Sequence, residues 1–265
     1  MSEKYYTKVK KYYNEDSENF ENRYWKNATL QRIRNSFREY ANKYSFDTIL
    51  EIGFGPGLDL IHFAEQNTTK TISGIDVSDG MYDWTKKQFE KKELKNIQIG
   101  IGSIEDIKTL FPNQKFDQIY VYFGALNTVE DINNVQNYLQ EVLEQNGEMI
   151  LTFVNKWYLA AIVLPAIKLK FSIATRRLQK VWGGYSPVKY LESKYYSYKD
   201  IKTAFDKFEI IEKRGYSIFY PAWYDNRFTV KYPKITNFLW KLDMFLQKTP
   251  FWNLGEYTLY VFKNK

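Results

Sequence analysis

Short apolar runs alternate with amphipathic stretches through residues 46–155. The runs at 48–52, 71–77, 97–101, 116–122 and 148–154 are rich in Ile, Val, Phe and Tyr and too short for helices, so they read as strands. Strands with so few polar positions belong in a parallel sheet covered on both faces, and the helix-patterned segments between them supply the crossovers. The pattern predicts a doubly wound α/β domain. Gln145-Asn146-Gly147 predicts a turn before the fifth strand. Upstream, Leu30, Ile33, Phe37 and Tyr40 recur at helical spacing with Arg32, Arg34 and Arg38 between them, which predicts a helical segment within 1–45. Downstream, 156–200 breaks the alternation. Residues 157–167 are uniformly apolar, interrupted only by Pro165, and Lys168, Lys170, Arg176, Arg177 and Lys180 follow. Ser197 and Asp200 start another helix. The sixth strand falls at 208–215, an aromatic insertion with a helix at 238–246 fills 219–255, and 255–262 alternates as the last strand. Four segments follow: 1–45, the core at 46–155, a cap insertion at 156–200, and completion of the sheet at 201–265.

The first strand ends in Gly53-Phe54-Gly55-Pro56-Gly57, and an amphipathic stretch begins at Leu58. Glycines there let the backbone turn sharply and let a ligand approach with no Cβ in the way. The following helix start aims N–H groups at a polar or anionic group. A βα turn that binds nothing is the plainer reading. The dinucleotide fingerprint needs a third glycine where Leu58 stands. No Gly-Lys-Ser/Thr follows, which excludes a phosphate-binding P-loop. Gly-x-Gly-x-Gly after an acidic strand instead resembles motif I of the class I S-adenosylmethionine-dependent methyltransferases. The resemblance covers most of 46–155 and, more loosely, the chain from 196 onward. It implies a Rossmann-like seven-stranded sheet with an antiparallel last strand, and S-adenosyl-L-methionine as cofactor.

The same resemblance assigns roles. Gly53, Gly55 and Gly57 wrap the methionine half of the cofactor, and Glu51 helps hold its amino group. Asp76, in Gly74-Ile75-Asp76-Val77-Ser78, lies about twenty residues past the loop and accepts hydrogen bonds from the ribose hydroxyls. Capping the next helix is the alternative role for Asp76. Val77 and Met81 flank the adenine. The family commonly has Gly-Asp-Ala where this chain has Gly102-Ser103-Ile104, a departure. Ser103 and Ile104 are left to serve the adenine, with Glu105 and Asp106 as neighbouring acids. Tyr122 and Phe123 close the fourth strand beside the reacting methyl. Tyr12, Tyr13 and Tyr24 resemble tyrosines of an N-terminal lid, so 1–45 is either such a lid or plain packing.

Composition and charge then narrow the chemistry. The chain has no cysteine, which removes disulfides and thiolate chemistry, and one histidine, His62, which removes His triads and His metal clusters. Its polar start carries no secretory pattern, which fits a cytoplasmic setting. Related enzymes often carry a His near the places of Asn127 and Thr128, and none stands here. No catalytic base is therefore assigned; Glu105, Tyr122, Asn127 and the lid tyrosines are the groups that could move a proton. The net charge of +7 permits an anionic partner, RNA or acidic lipid, although no Asn-Pro-Pro-Tyr-type motif for flipped bases follows the fourth strand. With 18% aromatic residues and apolar additions at 157–167 and 219–224, a small lipophilic or aromatic acceptor is expected rather than DNA. RNA methylation is the rival activity. A cofactor-binding protein that no longer catalyses, acting through partners or at a membrane, is the reading from another class. For 157–180 two placements stand: a helical cap with its apolar face turned inward, or a basic amphipathic segment lying on an anionic membrane surface.

Overall fold

A computed structural model describes residues 3–15, 17–179, 181–183 and 191–265. Lys180 of the basic run, 184–190 of the expected cap, and the first two residues of the chain lie outside the described residues. Three helices come first: α1 (Glu3–Asn14), α2 (Ser17–Trp25) and α3 (Ala28–Ala41). Strands β1 (Thr48–Ile52), β2 (Thr71–Asp76), β3 (Ile97–Ile101), β4 (Phe116–Val121) and β5 (Leu143–Val154) follow. They alternate with α4 (Leu58–Gln66), α5 (Asp79–Lys91), α6 (Ile107–Leu110) and α7 (Ile132–Val142). Beyond β5 come α8 (Leu159–Ile167), α9 (Phe171–Ala174), and a short ribbon of β6 (Val181–Gly183) and β7 (Glu192–Lys194). The chain ends with α10 (Tyr198–Ala204), β8 (Phe208–Tyr216), α11 (Asn226–Lys231), α12 (Pro233–Leu246) and β9 (Tyr257–Asn264).

One seven-stranded sheet has the order β3-β2-β1-β4-β5-β9-β8. Strands β1 to β5 pair in parallel, and β9 runs antiparallel between β5 and β8. The strand periodicity explains why the chain buries both faces. Leu50, Ile52, Ile119, Val121, Met149, Leu151 and Phe153 point to one face and meet Val135, Leu139, Ile201 and Phe205. Ile49, Tyr120, Ile150 and Val261 alternate to the other and meet Ile33, Phe37, Leu60 and Phe63. Side-chain caps start the helices as polar residues at those places demand. Asn27 accepts from the Leu30 N–H at 2.9 Å, and Ser197 shares a capping box with Asp200.

Three expectations change in detail. The turn expected at 145–147 is absorbed into β5, which already pairs at Leu143, with an irregularity in register before Glu148. The insertion at 156–200 is not helical throughout, because β6 and β7 form an antiparallel ribbon. Nor does α8 turn its apolar face inward: none of its 9 residues is buried, and α8 packs chiefly on α9. It ends in a Schellman turn, with Leu169 N–H on Ala166 O at 2.9 Å and Lys170 N–H on Pro165 O at 2.8 Å. Leu169 holds the left-handed position of that turn at φ 56°, where glycine is the ordinary choice.

The aromatic insertion after β8 is pinned by one carboxylate. Asp243 of α12 is fully buried and accepts the N–H groups of Ile218 at 2.8 Å, Phe219 at 2.8 Å and Tyr220 at 3.2 Å. Replacing it with alanine orphans these donors, two of them fully buried, and leaves a cavity. Asp243→Ala is expected to lower unfolding stability by about 2–4 kcal/mol, read as a fall in the urea midpoint, with Asp243→Asn losing less because its carbonyl still accepts.

Candidate functional site

Where the strand order reverses between β1 and β4, the carboxyl ends of β1, β2 and β4 open into a cleft. Of the residues nominated from the sequence, it gathers Tyr13, Glu51, Gly53, Gly55, Asp76, Val77, Met81, Ser103, Ile104, Tyr122 and Phe123. Gly57 and Glu105 do not line it. Gly57 sits at φ 71° as the N-cap of α4, and a Cβ there would run into the Thr85 side chain. Its lack of a side chain allows close packing of α4 against α5. Glu105 belongs to a short turn of 3-10 helix whose N-cap, Ser103, accepts its N–H at 3.3 Å. Gly55, by contrast, has φ 54° and would aim a Cβ at nothing within 4 Å, so its backbone borders open cleft.

Asp76 shapes the floor. Its Oδ2 accepts the Gly55 N–H at 2.8 Å and its Oδ1 the Ser78 N–H at 2.9 Å, which ties the glycine loop to the start of α5. The helix cap is Ser78, whose Oγ accepts the Met81 N–H at 3.1 Å, so Asp76 is not spent on that task. Burial pushes the Asp76 carboxyl up to about 6 against the pull of these N–H groups. Each oxygen keeps a further lone pair, which suits a vicinal diol. Ser103 is committed elsewhere: its Oγ donates to Asp106 Oδ2 at 2.9 Å. The departure from the family pattern thus leaves main chain and the buried Ile104 to form that part of the wall.

A buried charge cluster, absent from the sequence reading, forms the opposite wall. Asp59, in the first turn of α4, is fully buried. It pairs with Arg34 Nη1 and, at 2.6 Å, with Arg38 Nε, while Arg38 Nη2 also donates to the Leu58 carbonyl at 2.8 Å. Glu51 accepts from the Tyr120 hydroxyl at 2.8 Å; burial and then Asp59 push its carboxyl well above the usual range. Arg34 Nε is buried with no acceptor in the protein. An acid and an unanswered guanidinium donor lining one cleft complement a zwitterionic amino-acid group, so the residues present fit the methionine end of S-adenosylmethionine. An arginine between apolar helix positions and an acid in a helix's first turn were the only sequence signals for this pair.

The helices α1 and α2 roof the cleft with Tyr6, Val9, Tyr13 and Phe20. Asn14 Oδ1 accepts from Ser78 Oγ at 2.6 Å and from the Gly80 N–H at 3.2 Å, Lys10 pairs with Asp79 at 2.7 Å, and the Trp84 indole donates to Glu21 at 2.9 Å. Beside the cleft lies a second cavity, lined by Tyr12, Arg23, Tyr24, Asn27, Leu30, Trp223 and Tyr257. Tyr13, Phe20, Arg34 and Phe123 border both. Phe123 is held at φ 52° just before Gly124 at φ 73°, a strained turn that sets its ring at the junction. Two groups considered for proton transfer are occupied structurally. The Tyr122 hydroxyl donates to the Phe37 carbonyl at 3.1 Å. Asn127 lines neither cavity; it donates to Val154 O at 3.2 Å and Lys194 O at 2.6 Å and accepts the Val154 N–H at 3.0 Å.

A family model described as a methyltransferase domain matches residues 44–197. Over 88 residues the chain is 34% identical to a tRNA (guanine-N(7)-)-methyltransferase of Helicobacter pylori (strain ATCC 700392 / 26695), covering 33% of this chain and 22% of that protein. Over 108 residues it is 26% identical to (S)-tetrahydroprotoberberine N-methyltransferase of Eschscholzia californica, covering 41% of this chain and 29% of the relative. Both matches span less than a third of the relative's own length. In fold it resembles an S-adenosylmethionine-dependent methyltransferase from Clostridium acetobutylicum ATCC 824, with a TM-score of 0.54 and 15% identity over 85% of this chain and 87% of that one.

If the ionised Asp76 accepts the ribose hydroxyls, affinity for S-adenosylhomocysteine holds above pH about 6 and weakens as the carboxyl protonates below it. Asp76→Ala is expected to cost about tenfold or more in affinity and to flatten that dependence. Calorimetric titration of both proteins between about pH 5 and neutrality checks both.

Proposed function

The chain belongs to this methyltransferase-domain family and is an S-adenosylmethionine-dependent methyltransferase; from that premise we propose that its acceptor is a small lipophilic aromatic molecule, neutral or anionic, seated in the second cavity. The observation that carries the reading is the adjacency of an aromatic cavity to the cofactor cleft, with Tyr13, Phe20, Arg34 and Phe123 common to both walls. Tyr24, Trp223 and Tyr257 offer ring faces to a flat molecule. The charged side chains of that cavity are Arg23 and Arg34, which favour a neutral or anionic acceptor over a cation.

The bound cofactor supplies an electrophilic methyl on a sulfonium. The chain's own residues then have three tasks. Asp76, Glu51 and Arg34 would hold the two ends of the cofactor, and Tyr13, Phe20 and Phe123, common to both walls, would shield the reacting groups from water. Proton removal is a lesser task. Each carboxylate lining the cleft is already engaged: Glu51 by Tyr120, Asp59 by Arg34 and Arg38, Asp76 by main-chain N–H groups. This supports a nucleophile that is unprotonated near neutral pH, such as a neutral amine, an electron-rich carbon or an acidic phenol.

The tRNA-methylating relatives and the charge of +7 favour a second reading, methylation of RNA. Radiolabelled methyl transfer over a panel of lipophilic phenols, quinone precursors, amines, polar metabolites and tRNA separates the two. Turnover of the lipophilic aromatic compounds is expected. Trp223→Ala should raise their KM by roughly tenfold through lost ring contact while leaving the affinity for S-adenosylhomocysteine unchanged. Transfer to tRNA with steep salt dependence, and none to the aromatic panel, would replace the proposal with the RNA reading.

A further inference from the structure

The surface at α8 and α9 has the opposite character from the rest of the insertion. Leu164 is 56% exposed, Ile167 73%, Leu169 77% and Phe171 61%, four large apolar side chains gathered at one helix–turn–helix corner. Lys168, Lys170 and Arg176 are exposed among them, and residues 157–179 contain no Asp or Glu. Among the described residues no carboxylate pairs with these three cations. A solvated helix end would place a glycine or asparagine at the left-handed position of its Schellman turn. This one places Leu169 there and turns the side chain outward.

The corner is held firmly to the body of the protein. Arg177, counted with the basic run from the sequence, is instead buried: it donates to the Asn155 carbonyl at 2.8 Å, pairs with Glu256 at 3.5 Å, and lies over the rings of Tyr158 and Tyr195. That anchor sits one residue from Tyr257 of the second cavity. Tyr158, just before α8, meets Tyr224 through its hydroxyl, and Tyr224 contacts the ring of Trp223 in the wall of that cavity. Among the described residues no helix is long and apolar enough to cross a membrane, so the corner can rest on a bilayer without spanning it.

We propose that α8, the turn at 168–170 and α9 form a docking surface for an anionic lipid bilayer. Leu164, Ile167, Leu169 and Phe171 enter the acyl boundary, and Lys168, Lys170 and Arg176 lie at the level of the headgroups. Lipid is favoured over a protein partner by the cations around a small apolar tip, with no acid in 157–179 and none paired to them among the described residues. The surface stands independently of the acceptor class, because its binding is read with no acceptor present.

The test is sedimentation of the purified chain with phosphatidylcholine vesicles, with and without phosphatidylserine, alongside sizing of the protein without lipid. Leu169→Gly/Phe171→Ser removes two apolar anchors while giving the left-handed position the residue it favours, so loss of folding is not the expected outcome; thermal unfolding of the variant confirms it. Wild type is expected to sediment with the phosphatidylserine vesicles and to be released by salt, the double variant to bind roughly tenfold less or weaker, and Lys168→Gln/Lys170→Gln to lose the preference for phosphatidylserine. Equal sedimentation of wild type and the double variant, or none by either, overturns the proposal. A concentration-dependent dimer that Leu169→Gly/Phe171→Ser abolishes, with no vesicle binding, also overturns it and assigns the corner to a second copy of the chain.

Discussion

A fully buried carboxylate, Asp59, clamped between Arg34 and Arg38, is the interaction on which the rest of the site depends. It joins α3 to the first turn of the helix that follows the glycine loop, and so fixes the N-terminal segment against the sheet. Charges this deep are tolerable only when paired and hydrogen-bonded; loss of either partner leaves an uncompensated charge inside. The same clamp sets Arg34 on the wall shared by the two cavities, with its Nε still unanswered, while burial, and after it the Asp59 charge, raises the neighbouring Glu51 carboxyl against the pull of the two arginines. A structural ion pair thus also forms a wall of the cleft.

Much of the sheet was legible because its physics is local. A buried parallel strand needs an apolar run, a βα turn needs glycine, and Asp76 follows its loop at a spacing that places it at the end of the next strand. The antiparallel last pair could be anticipated only through family resemblance, since nothing in β8 or β9 states its neighbour. Constraints set by distant residues were not visible in the sequence. Gly57 reads as part of the ligand loop, and the structure adds that its small size also answers Thr85, which stands twenty-eight positions later. Asn127 looked available for chemistry, yet its amide is consumed by the backbones of β5 and β7. The Asp59 clamp and the second cavity left only scattered signals in the sequence: Arg34 and Arg38 among apolar helix positions, an acid in a first turn, and the tyrosines of 1–45. Each is assembled from segments that share no pattern, the cavity from residues as far apart as Tyr12 and Tyr257.

The insertion between β5 and β8 illustrates how one apolar stretch supports opposite predictions. Residues 157–167 carry too few polar positions to reveal which face is buried, so periodicity could not orient them. The structure turns that helix outward and buries Arg177 instead, reversing the order that hydropathy suggests. What fixes the arrangement is the pairing of Arg177 with Glu256 beside β9, a contact between residues seventy-nine apart. The aromatic insertion after β8 is held in the same manner, by one acid gathering three main-chain N–H groups.

One cleft, floored by Asp76 and the glycine loop and roofed by α1 and α2, is proposed to hold the cofactor. Amide hydrogen exchange of the whole chain with and without S-adenosylhomocysteine is the measurement to make. Added protection is expected at 53–57, 76–81 and 102–104 and along α1 and α2, with β8 and β9 unchanged. Protection absent from both the glycine loop and the roof, or concentrated elsewhere on the sheet, would contradict it.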